Sequence, residues 1–190
     1  MESEIIIPKG YENVIIAGGK YGKLKFVGEE LEILATPREV YSSEDAATMR
    51  GYPLRCELKT GLMETKTRGE HGELFLCHVA GDVRVDNGAL KRILRETYGN
   101  DIKGFERADN ETLAKLHCVY GTLNPFSEFL AKLPQFVSND LVGHDPNLIG
   151  TNAGTLTTFV KFDRNLLLKM GERAPLITGN FSKTVETADI

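Results

Sequence analysis

No apolar run in the 190 residues approaches the ~20 consecutive apolar side chains that a bilayer-crossing helix needs, so no membrane association is expected. The opening Met1-Glu2-Ser3-Glu4 is acidic and lacks the basic stretch of a secretory signal, and the expected compartment is the cytoplasm. Cysteine is scarce. Cys56, Cys77 and Cys118 are odd in number and no two stand at C-x-x-C spacing, which argues against a disulfide framework or a cysteine zinc site. Cys56 and Cys77 fall in strand-like runs, where a thiol serves as a small hydrophobe. His71, His78, His117 and His144 form no H-E-x-x-H pair, so neither a metal nor any other cofactor is expected. G-x-S-x-G and G-x-G-x-x-G are also absent, which disfavours a serine hydrolase elbow and a dinucleotide fold. Positive charge is in short supply: 23 Lys and Arg against 27 Asp and Glu leave a net charge of −4. A protein that holds nucleic acid through phosphate neutralisation alone is basic, so any such contact here has to be local or shared with a partner.

What is present is a chain of one-domain length with mixed patterning. Residues 1–36 read as short strands and turns. Gly18-Gly19-Lys20-Tyr21-Gly22-Lys23 is glycine-rich but lacks P-loop spacing, and it reads as a hairpin connection. Ser42 or Ser43 starts a helix that Gly51 ends. Leu54 to Thr67 and Glu73 to Ala80 read as paired strands across the polar loop 68–72. Gly81 to Asp86 is a turn, and Asp86 caps a helix carrying Leu90, Ile93 and Leu94. A short strand over 102–105 and a helix capped by Asp109 or Asn110 follow. Gln135 to Ser138 reads as a strand, Leu141 to Asp145 as a turn, 149–155 as a connector, and Leu156 to Phe162 as a strand. A last helix runs to Gly171, and the tail from Pro175 reads as loose, with an extended piece at Leu176-Ile177. The fold class expected from this order is α+β (mixed α/β), with a mostly antiparallel or mixed sheet flanked by helices.

Four features could carry chemistry. Gly121-Thr122-Leu123-Asn124-Pro125, followed by Phe126, has a glycine that tolerates positive φ and a proline that fixes its own, so it holds one shape. Alone it reads either as a tight turn or as a cradle of backbone N–H groups for a carbonyl oxygen or phosphate. Lys59 stands mid-strand, where local pattern favours a solvent-facing side chain. His144 sits beside Gly143 in a turn. Gly150 to Thr155 is a small polar segment containing Asn152.

In order, these features resemble the YbaK family of aminoacyl-tRNA editing domains, which includes the insertion domain of bacterial prolyl-tRNA synthetases and its free-standing relatives. The similarity runs from about Val40 to Leu168. Its parts are the helix begun by Tyr41-Ser42-Ser43-Glu44-Asp45-Ala46-Ala47, the pair Lys59-Thr60, the turn Ala80-Gly81-Asp82-Val83-Arg84-Val85-Asp86, the G-x-x-x-P loop at Gly121 to Pro125, and Ile149-Gly150-Thr151-Asn152-Ala153-Gly154-Thr155. Ala80 and Val83 depart from the usual proline and arginine of the turn, and 68–73 lengthens the hairpin. The implied layout is an N-terminal β-rich extension over 1–36, an editing domain over 37–171 and a C-terminal tail over 172–190.

The resemblance implies a deacylase of mischarged tRNA, of the Ala- or Cys-tRNA(Pro) kind. Its implied partners are the 3′ end of an aminoacyl-tRNA and, as an open alternative, a synthetase. Lys59, Gly121 and His144 would then serve the reaction. Thr122, Leu123, Asn124, Pro125, Asn152 and Thr155 would shape the substrate pocket. A ribose hydroxyl of the substrate would assist the attacking water. Two other readings stand beside it: a non-catalytic module that binds an amino acid or a synthetase, and an enzyme for another small acyl substrate.

Overall fold

The structure is a computed structural model and describes residues 15–16, 23–67, 72–127, 129–143 and 147–185. In chain order the elements are β1 (Ile15–Ile16), β2 (Lys23–Phe26), β3 (Glu29–Glu32), β4 (Leu34–Ala35), α1 (Ser43–Arg50), β5 (Leu58–Lys66), β6 (Leu74–Ala80), β7 (Val83–Val85), α2 (Asn87–Tyr98), β8 (Gly104–Arg107), α3 (Asn110–Lys115), β9 (Gln135–Ser138), α4 (Asn139–Gly143), β10 (Ile149–Asn152), β11 (Thr158–Phe162), α5 (Asn165–Leu168), β12 (Leu176–Gly179) and β13 (Ser182–Thr184). No helix among the described residues is long and apolar enough to cross a membrane.

The central sheet has the order β12-β9-β6-β5-β8. β9 pairs in parallel with both β6 and β12, and β5 pairs antiparallel with β6 and β8. The fold is therefore α+β with a mixed sheet. Alternation along β5 and β6 gives the sheet two buried faces. Leu62 and Leu76 pack with Leu113, Leu123 and Leu130 on one face. Phe75, Cys77 and Val79 pack with Leu90 and Leu94 of α2 on the other. A smaller antiparallel sheet, β10-β11-β4, joins the first through a bridge between Glu57 and Gly150. Phe126, directly after the G-x-x-x-P loop, sits edge-on to Phe26 and Phe162, so the loop is anchored in the core.

The helix starts follow from their caps. Ser42, Asp86 and Asp109 each accept from backbone N–H groups of the first turn, which have no partner within the helix. Several expectations are corrected. Residues 54–56 form a 3₁₀ turn after Pro53, so the strand begins at Leu58. Residues 139–143 are a short helix and not a turn. Residues 149–152 are a strand, because Ile149 to Asn152 pair with Phe162 to Phe159. The tail is not loose: the extended piece at Leu176-Ile177 opens β12, which adds to the central sheet, β13 pairs with β7, and Phe181 between them is fully buried. The glycine-rich loop 18–22 and the hairpin tip 68–71 lie outside the described residues, although the antiparallel pairs β1–β2 and β5–β6 that they join are present.

One feature of the central sheet positions everything that follows. β8 covers β5 only over Met63 to Lys66. The edge of β5 from Lys59 to Gly61 is left open, and a cleft runs along it.

Candidate active site

The cleft encloses about 690 Å³, within the ~300–1,000 Å³ usual for small-molecule sites. Lys59, Thr60 and Gly61 of β5 form one side. Tyr120, Gly121 and Leu123 of the G-x-x-x-P loop line it together with Asn152 at the end of β10. Tyr41 to Ser43 at the head of α1 face it from another direction, and Arg84 and Arg107 stand at its border. Several of these residues are solvent-exposed, Tyr41 by 74 %, so the cleft is open to a large ligand.

Lys59 departs from the solvent-facing reading. Its Nζ donates to Gly81 O at 2.9 Å and to Val83 O. The same turn packs against residues 54–57, where residue 81 has no room for a side chain: a Cβ there would lie 2.2 Å from Leu54 O. An ammonium has three donors, so one is left over. Burial pushes the Lys59 ammonium below the usual lysine range, and the carboxylates of Glu44, Asp82 and Asp140 oppose that shift.

The loop is held by two side-chain amides. Asn124 Nδ2 donates to Thr122 O at 2.9 Å and to Asn152 Oδ1 at 3.0 Å, while its own Oδ1 accepts from Phe126 N. Asn152 Nδ2 donates to Leu123 O at 3.0 Å, which ties the loop to the β10–β11 turn. Gly121 adopts φ +89°, a conformation that glycine takes without strain. Thr122 N is bonded to Val119 O. Among the described residues the N–H groups of Gly121 and Leu123, both on the cleft wall, donate to no backbone or side-chain acceptor.

Of the residues singled out in the sequence, Lys59, Gly121, Leu123 and Asn152 therefore meet at one cleft. Thr122, Asn124, Pro125 and Thr155 do not line it. The Thr122 hydroxyl is bonded to Val119 O, Asn124 is fully buried, and Thr155 Oγ1 accepts from Thr157 N and Thr158 N inside its turn. Asn124 supports the wall through its bonds to Thr122 O, Asn152 Oδ1 and Phe126 N. His144 lies outside the described residues.

Other residues of the site carry no signal of their own in the sequence. Arg50 and Glu57 line the cleft as a buried ion pair, with Tyr52 OH donating to the second carboxylate oxygen and Phe159 under the guanidinium at 5.0 Å. Burial pushes the Glu57 carboxyl up, against the pull of Arg50. Tyr120 is fixed by a 2.6 Å bond from its hydroxyl to Ala108 O, and the Arg107 guanidinium lies 5.7 Å from its ring. Behind Thr60, His78 and Gln135 form a buried relay. Helical or strand periodicity marks none of these as functional, because each also fits an ordinary core or surface role.

Comparison with known proteins identifies the fold and the family. The hypothetical protein APE2540 shares the fold at TM-score 0.65 with 15 % identity, over 83 % of this chain and 94 % of that one. A candidate trans-editing enzyme for prolyl tRNA synthetase matches at TM-score 0.63 with 19 % identity, over 80 % and 87 %. No curated protein matches the chain. The model of the aminoacyl-tRNA editing domain family matches residues 37–170, most of the chain and the whole cleft, and the chain belongs to that family.

Proposed function

We propose that the cleft hydrolyses, in trans, the ester between a misattached amino acid and the 3′ end of tRNA, with a small residue such as alanine or cysteine on tRNA(Pro) as the substrate. The observation that carries this reading is the meeting of Lys59 with Gly121 and Leu123 in one cleft, from elements some sixty residues apart. Ester hydrolysis needs donors aimed at the oxygen on which charge develops. The N–H groups of Gly121 and Leu123, on a loop fixed by Asn124 and Asn152, are such donors. Lys59 adds a point charge for the carbonyl or the terminal phosphate. In this reading a substrate ribose hydroxyl assists the attacking water. At the mouth, Tyr41 and Tyr120 offer exposed rings, and Arg84 and Arg107 offer charge, as single-stranded nucleotides require. The likeness to a candidate trans-editing enzyme for prolyl tRNA synthetase supports the choice of substrate.

The test is deacylation of a panel of mischarged tRNAs by the wild type and Lys59→Ala. Turnover that Lys59→Ala abolishes is expected, and a wild type inert toward every ester would refute the reading. A second reading, a non-catalytic module that binds an amino acid, is favoured by one observation: the Lys59 ammonium already holds two backbone carbonyls and so acts as a clamp on the turn. Inactivity together with a thermal shift caused by free amino acids would select it.

A further inference from the structure

Thr60 lines the cleft, and a buried chain of hydrogen bonds fixes the direction of its hydroxyl. The chain starts at Gln135, which is fully buried in β9. Its Nε2 lies 3.1 Å from Leu130 O and 2.7 Å from Leu133 O. Carbonyl oxygens only accept, so the amide cannot be flipped: the NH₂ group must face them. Its Oε1 then faces His78 Nε2 at 2.8 Å. That oxygen also only accepts, so Nε2 carries a proton. His78 is fully buried, and burial holds its pKa down to about 4, so the ring is neutral at neutral pH. A neutral ring has one N–H. Nδ1 is therefore a bare acceptor, and Thr60 Oγ1, 3.0 Å away, donates its only proton to it.

We infer that Thr60 presents an oxygen to the cleft that can only accept, and that it selects and holds a hydrogen-bond donor of the bound substrate. His78 and Gln135 are positioning residues for that oxygen. The main chain agrees with this assignment. Leu62 O accepts from Ala108 N on the side of β5 away from β6. In an antiparallel ladder, residues two apart direct their N–H and C=O groups to the same side. The N–H and C=O of Thr60 thus also face the open edge. This inference rests on the editing reading for the identity of the ligand. An aminoacyl ester carries two donors near its carbonyl, the α-ammonium and the neighbouring ribose hydroxyl.

Two measurements test it. The first needs no substrate. ¹⁵N NMR of His78, assigned by comparison with His78→Gln, reads the tautomer directly. An N–H on Nε2 and a bare Nδ1 at neutral pH are expected, and the opposite tautomer would overturn the inference even if the protein hydrolysed no ester. The second is a kinetic cycle. Thr60→Val is expected to lower kcat/KM by about tenfold, the scale of one lost hydrogen bond to a partly charged donor, and Thr60→Ser to restore it. The cycle is closed with an ester lacking the ammonium (an α-hydroxyacyl ester) and with a terminal 2′-deoxyribose. If Thr60 holds one of these donors, Thr60→Val and removal of that donor are non-additive. Non-additivity with either one supports the inference and names the group. Additivity with both, or a Thr60→Val enzyme of unchanged kcat/KM, overturns it while leaving the hydrolase reading intact.

Discussion

Replacing Gly121 by alanine separates the geometry of the loop from the stability of the fold. Gly121 holds φ +89°, where an L-residue costs about 1–2 kcal/mol. The added Cβ would meet only Leu156 Cδ2 at 3.3 Å, the tip of a flexible side chain, so sterics add little to that strain. Domains of this kind are stable by roughly 5–15 kcal/mol, and even the low end leaves the variant roughly 99 % folded. Loss of folded protein therefore cannot lower activity measurably. The catalytic consequence is of another size. Relief of the strain rotates the peptides around residue 121 and moves their N–H groups off the reacting oxygen. The loss of one such donor costs on the order of 10²–10³ in turnover. We expect kcat on a mischarged tRNA to fall at least about tenfold. Gly28→Ala is the control: it sits in the β2–β3 turn at φ +79° with nothing within 4 Å of a Cβ, and it does not line the cleft. Urea unfolding should give both variants similar losses of stability, while single-turnover deacylation should separate them. Equal activity in the two variants would refute backbone donation by the loop.

Three further outcomes follow from the same geometry. The depressed pKa of His78 makes the unfolded chain bind the proton first, so its contribution is complete above about pH 6.5 and is lost as pH falls toward about 4; between about pH 7 and about pH 4.5 the loss is about 2–3 kcal/mol. Denaturant titrations at the two pH values should show it, and His78→Gln should remove it; an unchanged slope in the variant would contradict the burial argument. Tyr120→Ala should weaken binding of a labelled single-stranded ACCA RNA by about tenfold in fluorescence anisotropy, with Tyr120→Phe close to wild type. Arg107→Ala should lower the salt slope by about 0.7, and unaltered RNA binding in both would assign these side chains to a protein partner or to none. Arg50→Met leaves Glu57 buried without its cation and should cost about 3–5 kcal/mol in denaturant unfolding, much of which Arg50→Met with Glu57→Leu should recover.

The local elements were legible where a residue acts within a few positions of itself. Ser42, Asp86 and Asp109 mark helix starts because each caps an N–H two or three residues on. Gly51 marks a stop because it takes φ +71°. What was not legible depended on distant partners. Ile149-Gly150-Thr151-Asn152 has the composition of a connector and becomes a strand because β11 lies beside it. β12 pairs with β9 across some forty residues, and parallel pairing leaves no alternation in so short a segment. Phe181, apolar in a polar tail, and the extended piece at Leu176-Ile177 are the local signs that this end of the chain enters the core.

The site shows the same limit more sharply. Lys59, Gly121 and Asn152 stand out through the order of family motifs, but their roles in the cleft depend on contacts that no motif contains: two carbonyls from the 81–83 turn for Lys59, and an amide-to-amide bond for Asn152. For Thr60 the missing quantity was the register. Strands ending at Thr67 and Glu73, as patterning suggests, would set Thr60 opposite Ala80. The observed ladder sets it opposite His78, because pairing closes two residues earlier, with Thr65 N on Glu73 O. A two-residue slip keeps every side chain on its own face. The apolar pattern that selects the core therefore does not distinguish the two registers. It cannot report that a histidine stands behind the hydroxyl. The apolar pattern is compatible with either pairing, while the bonds that join Thr60 to His78 and Gln135 belong to the observed one.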